Sequence, residues 1–186
     1  HWEYHVVGPT TTERNGSSMP SLPNARALVI GIANYQAINS LPSTVLKDAQ
    51  DVYDLLVDQN VCGYAESNVR LLLDGQATQV AIRQELASLA HGADADSTVF
   101  FYISSHGGRI ESGPYAGEYL LPVDTRFASD QDLAETAISG TEFTAALRAI
   151  PAGKLLVVFD CCHSGGIGQP KDATAPAFKA GLPDSY

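Results

Sequence analysis

The apolar positions of this chain fall into two kinds of run that alternate along it. ALVIGIA (27–33) and STVFFYIS (97–104) are nearly continuous apolar stretches, the pattern of strands buried on both faces. NVRLLL (68–73) and KLLVVFD (154–160) read the same way. Between them the spacing becomes helical. Ala49, Val52, Leu55 and Leu56 form a stripe on a helix expected from Asp48 to about Gln59. Ile82, Leu86, Leu89 and Ala90 form a second stripe. Phe143, Ala146, Leu147 and Ile150 form a third, with Ser139 and Glu142 spaced as a capping box. Strands alternating with helices predict an α/β fold, a mostly parallel sheet flanked by helices on both faces. Residues 1–24 read as an N-terminal extension, with HWEYHVV as a possible short strand before a polar, turn-rich stretch. The segment from Pro170 to Tyr186 is loop-like, and no internal repeat is apparent.

Composition narrows this picture. With 186 residues and 45% hydrophobic positions, the chain can bury one core of ordinary size, which excludes a disordered tail. No run of eighteen apolar residues is present, so no membrane span is expected. Acids outnumber bases, 21 Asp+Glu against 11 Lys+Arg, for a formal charge of −10. Such a chain repels a phosphate backbone and attracts a cationic substrate, so nucleic acid is not an expected partner. Three cysteines, two of them adjacent, make no disulfide framework and point to a reducing compartment, with a cytoplasmic location as the expectation. From the start at His1 rather than Met, a fragment or processed piece is the expectation.

In parallel α/β sheets the functional site lies beyond the carboxyl ends of the strands. The third apolar run leads into Ser104-Ser105-His106-Gly107-Gly108. The fourth leads into Asp160-Cys161-Cys162-His163-Ser164-Gly165-Gly166. A thiol and an imidazole at one sheet edge form a minimal nucleophilic pair: the thiolate attacks a carbonyl, and the imidazole takes and returns the proton. Neighbouring glycines let a substrate backbone approach and leave N–H groups free for an oxyanion.

His-Gly after one apolar strand and D-x-C-H-S-G after the next resemble the large catalytic subunit of the caspase-like cysteine peptidases. The pattern is closest to that of metacaspases and orthocaspases, over about residues 25–168. A His about 50 residues ahead of the Cys is the caspase spacing. The resemblance implies a caspase-like fold and assigns roles by position. Cys162 matches the nucleophile and His106 the catalytic histidine, while Cys161 is the decoy beside them. The N–H groups of Gly107 and Cys162 match the oxyanion hole. Asp160, Asp48 (in VLKDAQ) and Ser104 match the lining of the S1 pocket. Two carboxylates there imply Arg or Lys at P1. The reaction implied is cleavage after Arg or Lys through a thioester acyl-enzyme, with no cofactor.

Departures from the pattern carry their own expectations. Ser105 replaces the glycine that often precedes the histidine. Where an acidic pair would bind calcium, the chain reads AISGTE, so calcium dependence is expected to be weak or absent and no metal site is assigned. Asp130, Asp132 and Glu135 read as solvated acids. Only 24 residues follow Cys162, too few for the family's small subunit, which is then a separate chain or missing. Residues 169–186 read as a linker toward it, with Lys171 and Lys179 as autocleavage candidates.

Plainer readings stand beside several of these. On position alone Asp48 is an acid in a first helical turn, favourable to the helix dipole. His91 complements a helix C-terminus, His163 is structural, and Cys62 is incidental. Two alternatives to the peptidase remain: a caspase-like domain without activity that serves as an interaction module, and a related peptidase, legumain-like or gingipain-like, with a different P1 choice.

Overall fold

The computed structural model describes Leu22 and residues 24–163, and of positions 162 and 163 the backbone only. The elements in chain order are β1 (Ala25–Gly31), α1 (Thr44–Val57), β2 (Val69–Leu73), α2 (Gln79–Gly92), β3 (Thr98–Ile110), β4 (Gly117–Leu120), α3 (Asp130–Thr136), β5 (Ile138–Ser139), α4 (Gly140–Arg148) and β6 (Lys154–His163). They build one mixed sheet in the order β2-β1-β3-β4-β5, with β6 paired to β3. The β1–β2, β1–β3 and β3–β6 pairs are parallel, whereas β3–β4 and β4–β5 are antiparallel. The four apolar runs are therefore the four parallel strands, as their patterning predicts.

Side-chain alternation sorts the core onto two faces. Leu28, Ile30, Val99, Phe101 and Ile103 pack with Ile82, Leu86 and Leu89 of α2, Leu133 of α3, and Phe143 and Leu147 of α4. Ala27, Val29 and Tyr102 pack on the opposite face with Ala49 and Leu56 of α1. Helix α1 lies so close to the sheet that a Cβ on Gly31 would come within 2.7 Å of the Ala49 Cβ, so glycine at the end of β1 is what admits the helix.

Several boundaries differ from the sequence expectation. Helix α1 begins at Thr44, four residues before Asp48, because Val45 and Leu46 already bond back to the carbonyls of Pro42 and Ser43. Asp48 thus lies in the second turn, and the helix-dipole reading of it fails. Strand β3 runs on to Ile110 and β6 to His163, since the two pair with each other up to Gly107 opposite His163. His106 and Cys162 are therefore inside strands, not in loops after them. The short β4 and β5 and the two-turn α3 carry too little periodicity to be read from pattern. Of the capping box, one half forms: Ser139 Oγ accepts the Glu142 N–H at 3.1 Å, but the Glu142 carboxylate turns to Arg83 of α2 in a two-pronged ion pair at 2.6 and 2.9 Å. The extension 1–24, apart from Leu22 and Asn24, and the linker 169–186 with Lys171 and Lys179 lie outside the described residues.

Candidate active site

His106 occupies a gap in the ladder. On one edge of β3, β1 pairs only as far as Ser104, and β4 begins opposite Gly107. The segment between β1 and α1 fills the space between. Its Tyr35 hydroxyl accepts the His106 backbone N–H at 2.8 Å and donates to the Leu121 carbonyl at 3.1 Å, replacing an acceptor that β1 no longer supplies. The Tyr35 ring lies 5.0 Å from the imidazole, centroid to centroid. Burial pushes the Tyr35 phenol far above its ordinary range, so it stays protonated.

The same segment brings the Asn39 carbonyl to 2.8 Å from His106 Nε2. A carbonyl only accepts, so Nε2 carries the proton in this bond. Nδ1 is then the nitrogen that can take a proton and give it back.

Register separates the two adjacent cysteines. His106 pairs with Cys162 and Ser105 with Cys161. Directly opposed residues of neighbouring strands share a face, and successive residues alternate. Position 162 is therefore on the face of His106, and position 161 on the other. Cys161 packs against the α2–α4 core, with Sγ 3.3 Å from Ser105 Oγ.

The face that carries His106 also carries the residues expected to line S1. Ser104, fully buried, donates from Oγ to Asp160 Oδ2 at 3.0 Å. Burial first, then the Asp160 charge and in smaller measure that of Asp48, raise the neighbouring Tyr102 phenol above its usual range. Ser104 and Asp160 are thus brought together beside Tyr102, and Asp48 of α1 lies near enough for its charge to act on the same phenol. Gly107 is half-buried within β3, between β4 and β6. Tyr35 and Asn39 were not anticipated; the available signal was their place just after the carboxyl end of β1.

The remaining candidates lie elsewhere. His91 Nδ1 bonds to the Ala87 carbonyl at 2.8 Å in the last turn of α2, as a helix-end role requires. Asp132 bonds to Arg126 and to the Ala128 amide. Among the described residues no group of three or more His, Cys, Asp or Glu is placed to hold a metal ion, and no helix is long and apolar enough to cross a membrane. A groove of about 450 Å³ between α2 and α4 is lined largely by Leu86, Ala87, Ala90, Phe143 and Ala146, on the face away from His106.

The family model described as "Caspase domain" matches residues 24–180. The chain belongs to the caspase domain family. Among curated proteins it is similar to Metacaspase-7 of Arabidopsis thaliana, 30% identical over an aligned length of 154 that covers 76% of this chain and 35% of that protein. Metacaspase-1 of Schizosaccharomyces pombe is 29% identical over an aligned length of 156 that covers 76% of this chain and 34% of that protein. The chain thus spans about a third of the length of these relatives. Among solved structures, protein GSU0716 from Geobacter sulfurreducens superposes with a TM-score of 0.55 at 20% identity, covering 78% of this chain and 53% of that one, a likeness of fold. The α/β sheet with helices on both faces is accordingly a caspase-like fold.

Proposed function

We propose that this caspase domain is the His- and Cys-bearing part of a cysteine endopeptidase of metacaspase or orthocaspase type that cleaves after Arg or Lys. The observation that carries the reading is the register: a histidine with Nε2 held by a backbone carbonyl stands opposite a cysteine position on the same sheet face. In the proposed cycle His106 Nδ1 takes the Cys162 thiol proton, and the thiolate attacks the scissile carbonyl. The N–H groups of Gly107 and Cys162 receive the oxyanion. His106 returns the proton to the leaving amine, leaving a thioester, which water then hydrolyses with His106 as base. Asp160 and Asp48, with Ser104 orienting Asp160, favour a cationic P1 side chain, and the net charge of −10 acts in the same sense.

The small subunit is proposed to continue the sheet beyond β6. Among the described residues β6 pairs only with β3, and Leu156 and Phe159 remain 57% and 37% exposed. Lys171 and Lys179 are proposed cleavage sites between the subunits. The chemistry uses no cofactor, and activity without calcium is part of the proposal, as is a reducing, cytoplasmic setting.

The test is hydrolysis of paired fluorogenic peptides by the full-length natural protein, with Arg or Lys against Asp or Asn at P1, in EGTA and in calcium. Cleavage after Arg or Lys should fall about a thousandfold or more in Cys162→Ala and survive in Cys161→Ala. Asp160→Asn should lower kcat/KM for basic P1 about tenfold. Cleavage after Asp would overturn the pocket, and no cleavage of any peptide would leave the interaction module.

A further inference from the structure

A backbone carbonyl can orient a histidine only as firmly as its own loop is held. Asn39, the residue whose carbonyl meets His106 Nε2, is exposed and lies in neither helix nor strand. The segment from Ile32 to Leu41 nevertheless has a built base. Asp74, at the end of β2, accepts the Ala33 N–H at 2.8 Å and the Asn34 N–H at 2.9 Å on one oxygen, and the Asn34 side-chain amide at 2.8 Å on the other. The Leu41 N–H then closes the segment onto the Ala33 carbonyl at 2.8 Å. Asp74 reaches this position with φ of 44°, and it is the one non-glycine residue described in the left-handed region. Backbone strain of this kind persists where the surroundings over-determine it, and here it aims the carboxylate across the strand end at the loop.

We infer that Asp74 is a positioning residue for His106: by clamping Ala33 and Asn34 it sets the Asn39 carbonyl, and through that carbonyl the Nε2–H tautomer and ring plane of the histidine. The inference rests on the peptidase reading for its kinetic consequence, but not for its structural one. It links an outer strand of the sheet to a proton-transfer step at a central one, since β2 supplies the clamp and β3 the imidazole. Asparagine tolerates left-handed backbone, so Asp74→Asn keeps the turn while removing the carboxylate charge that receives the Ala33 and Asn34 donors.

The test combines kinetics with ring-nitrogen NMR on the full-length natural protein. In Asp74→Asn, kcat should fall about tenfold to a hundredfold with KM little changed, as for a misplaced base. The His106 signals should move from the Nε2–H tautomer toward a mixture. The double variant Asp74→Asn with Asn34→Asp returns a carboxylate to the clamp and should recover part of both losses. Asn34→Ala, which removes only the side-chain donor, should show the same changes in smaller measure and serves should Asp74→Asn fail to fold. An unchanged tautomer in folded Asp74→Asn would overturn the inference, whether or not kcat falls. A natural protein that cleaves no peptide would instead count against the peptidase reading, and the tautomer comparison would still decide the clamp.

Discussion

The two faces of the sheet at β3 and β6 begin alike and end differently. On the α2–α4 face, Phe101, Ile103 and Cys161 stay in an apolar layer, and Phe101, Phe143 and Phe159 meet edge-on or tilted at centroid distances of 5.2 to 6.2 Å. On the α1 face the same strands pass from Phe100 and Val158 to Tyr102, Ser104, Asp160 and His106. Ser105 and His106 are adjacent, as are Cys161 and Cys162, yet each pair is divided between a layer that packs and the layer that carries the candidate site. The strand pleat lets one segment serve both: residues locked into the core on one side hold their neighbours in place on the other.

The sharpest way to break this contrast is to remove mass from the packing face. Phe101→Ala deletes a fully buried ring that touches Phe143 and Phe159, and should cost about 3–5 kcal/mol by denaturant unfolding. The matching change on the reactive face is Ser104→Ala. It removes one hydrogen bond to Asp160, whose exposed carboxylate can turn to water, so the loss should be about 1 kcal/mol. Equal losses in the two variants would erase the distinction.

The smallest effect expected is one of pH. Burial pushes the Asp74 carboxyl upward, but the N–H donors of Asn34 and Ala33 outweigh it and hold the group below its usual range. A depressed carboxylate adds stability that is fully present above its unfolded value of about 3.9 and is lost as the pH falls through the lower folded value. The natural protein should therefore lose thermal stability below about pH 4 more steeply than Asp74→Asn. Parallel curves for the two proteins would remove Asp74 from the acid response.

The four parallel strands and the three longest helices were legible because burial on two faces, or on one stripe, leaves a periodic trace. The antiparallel β4 and β5 left none, being too short. Of the candidate site, His106, Cys162, Asp160 and Ser104 could be named because their types and local motif are distinctive. Tyr35, Asn39 and Asp74 could not: a carbonyl can come from any residue, and a tyrosine or aspartate in a loop has no signature of the atom it will meet. The apolar run of β6 matches that of β1, yet β1 is buried and Leu156 is not; pattern shows which residues seek burial, not which segment covers them.

The sequence by itself determined the alternation of strands and helices, the family motif, and the acidic balance, since all three depend on residue type and spacing along the chain. Only the tertiary structure decided that position 162 rather than 161 shares the face of His106, that the Asn39 carbonyl meets His106 Nε2, and that Asp74 holds the loop behind it. Those depend on register and on contacts between residues as far apart as Asn34 and Asp74 or Asn39 and His106, which no local rule of spacing encodes.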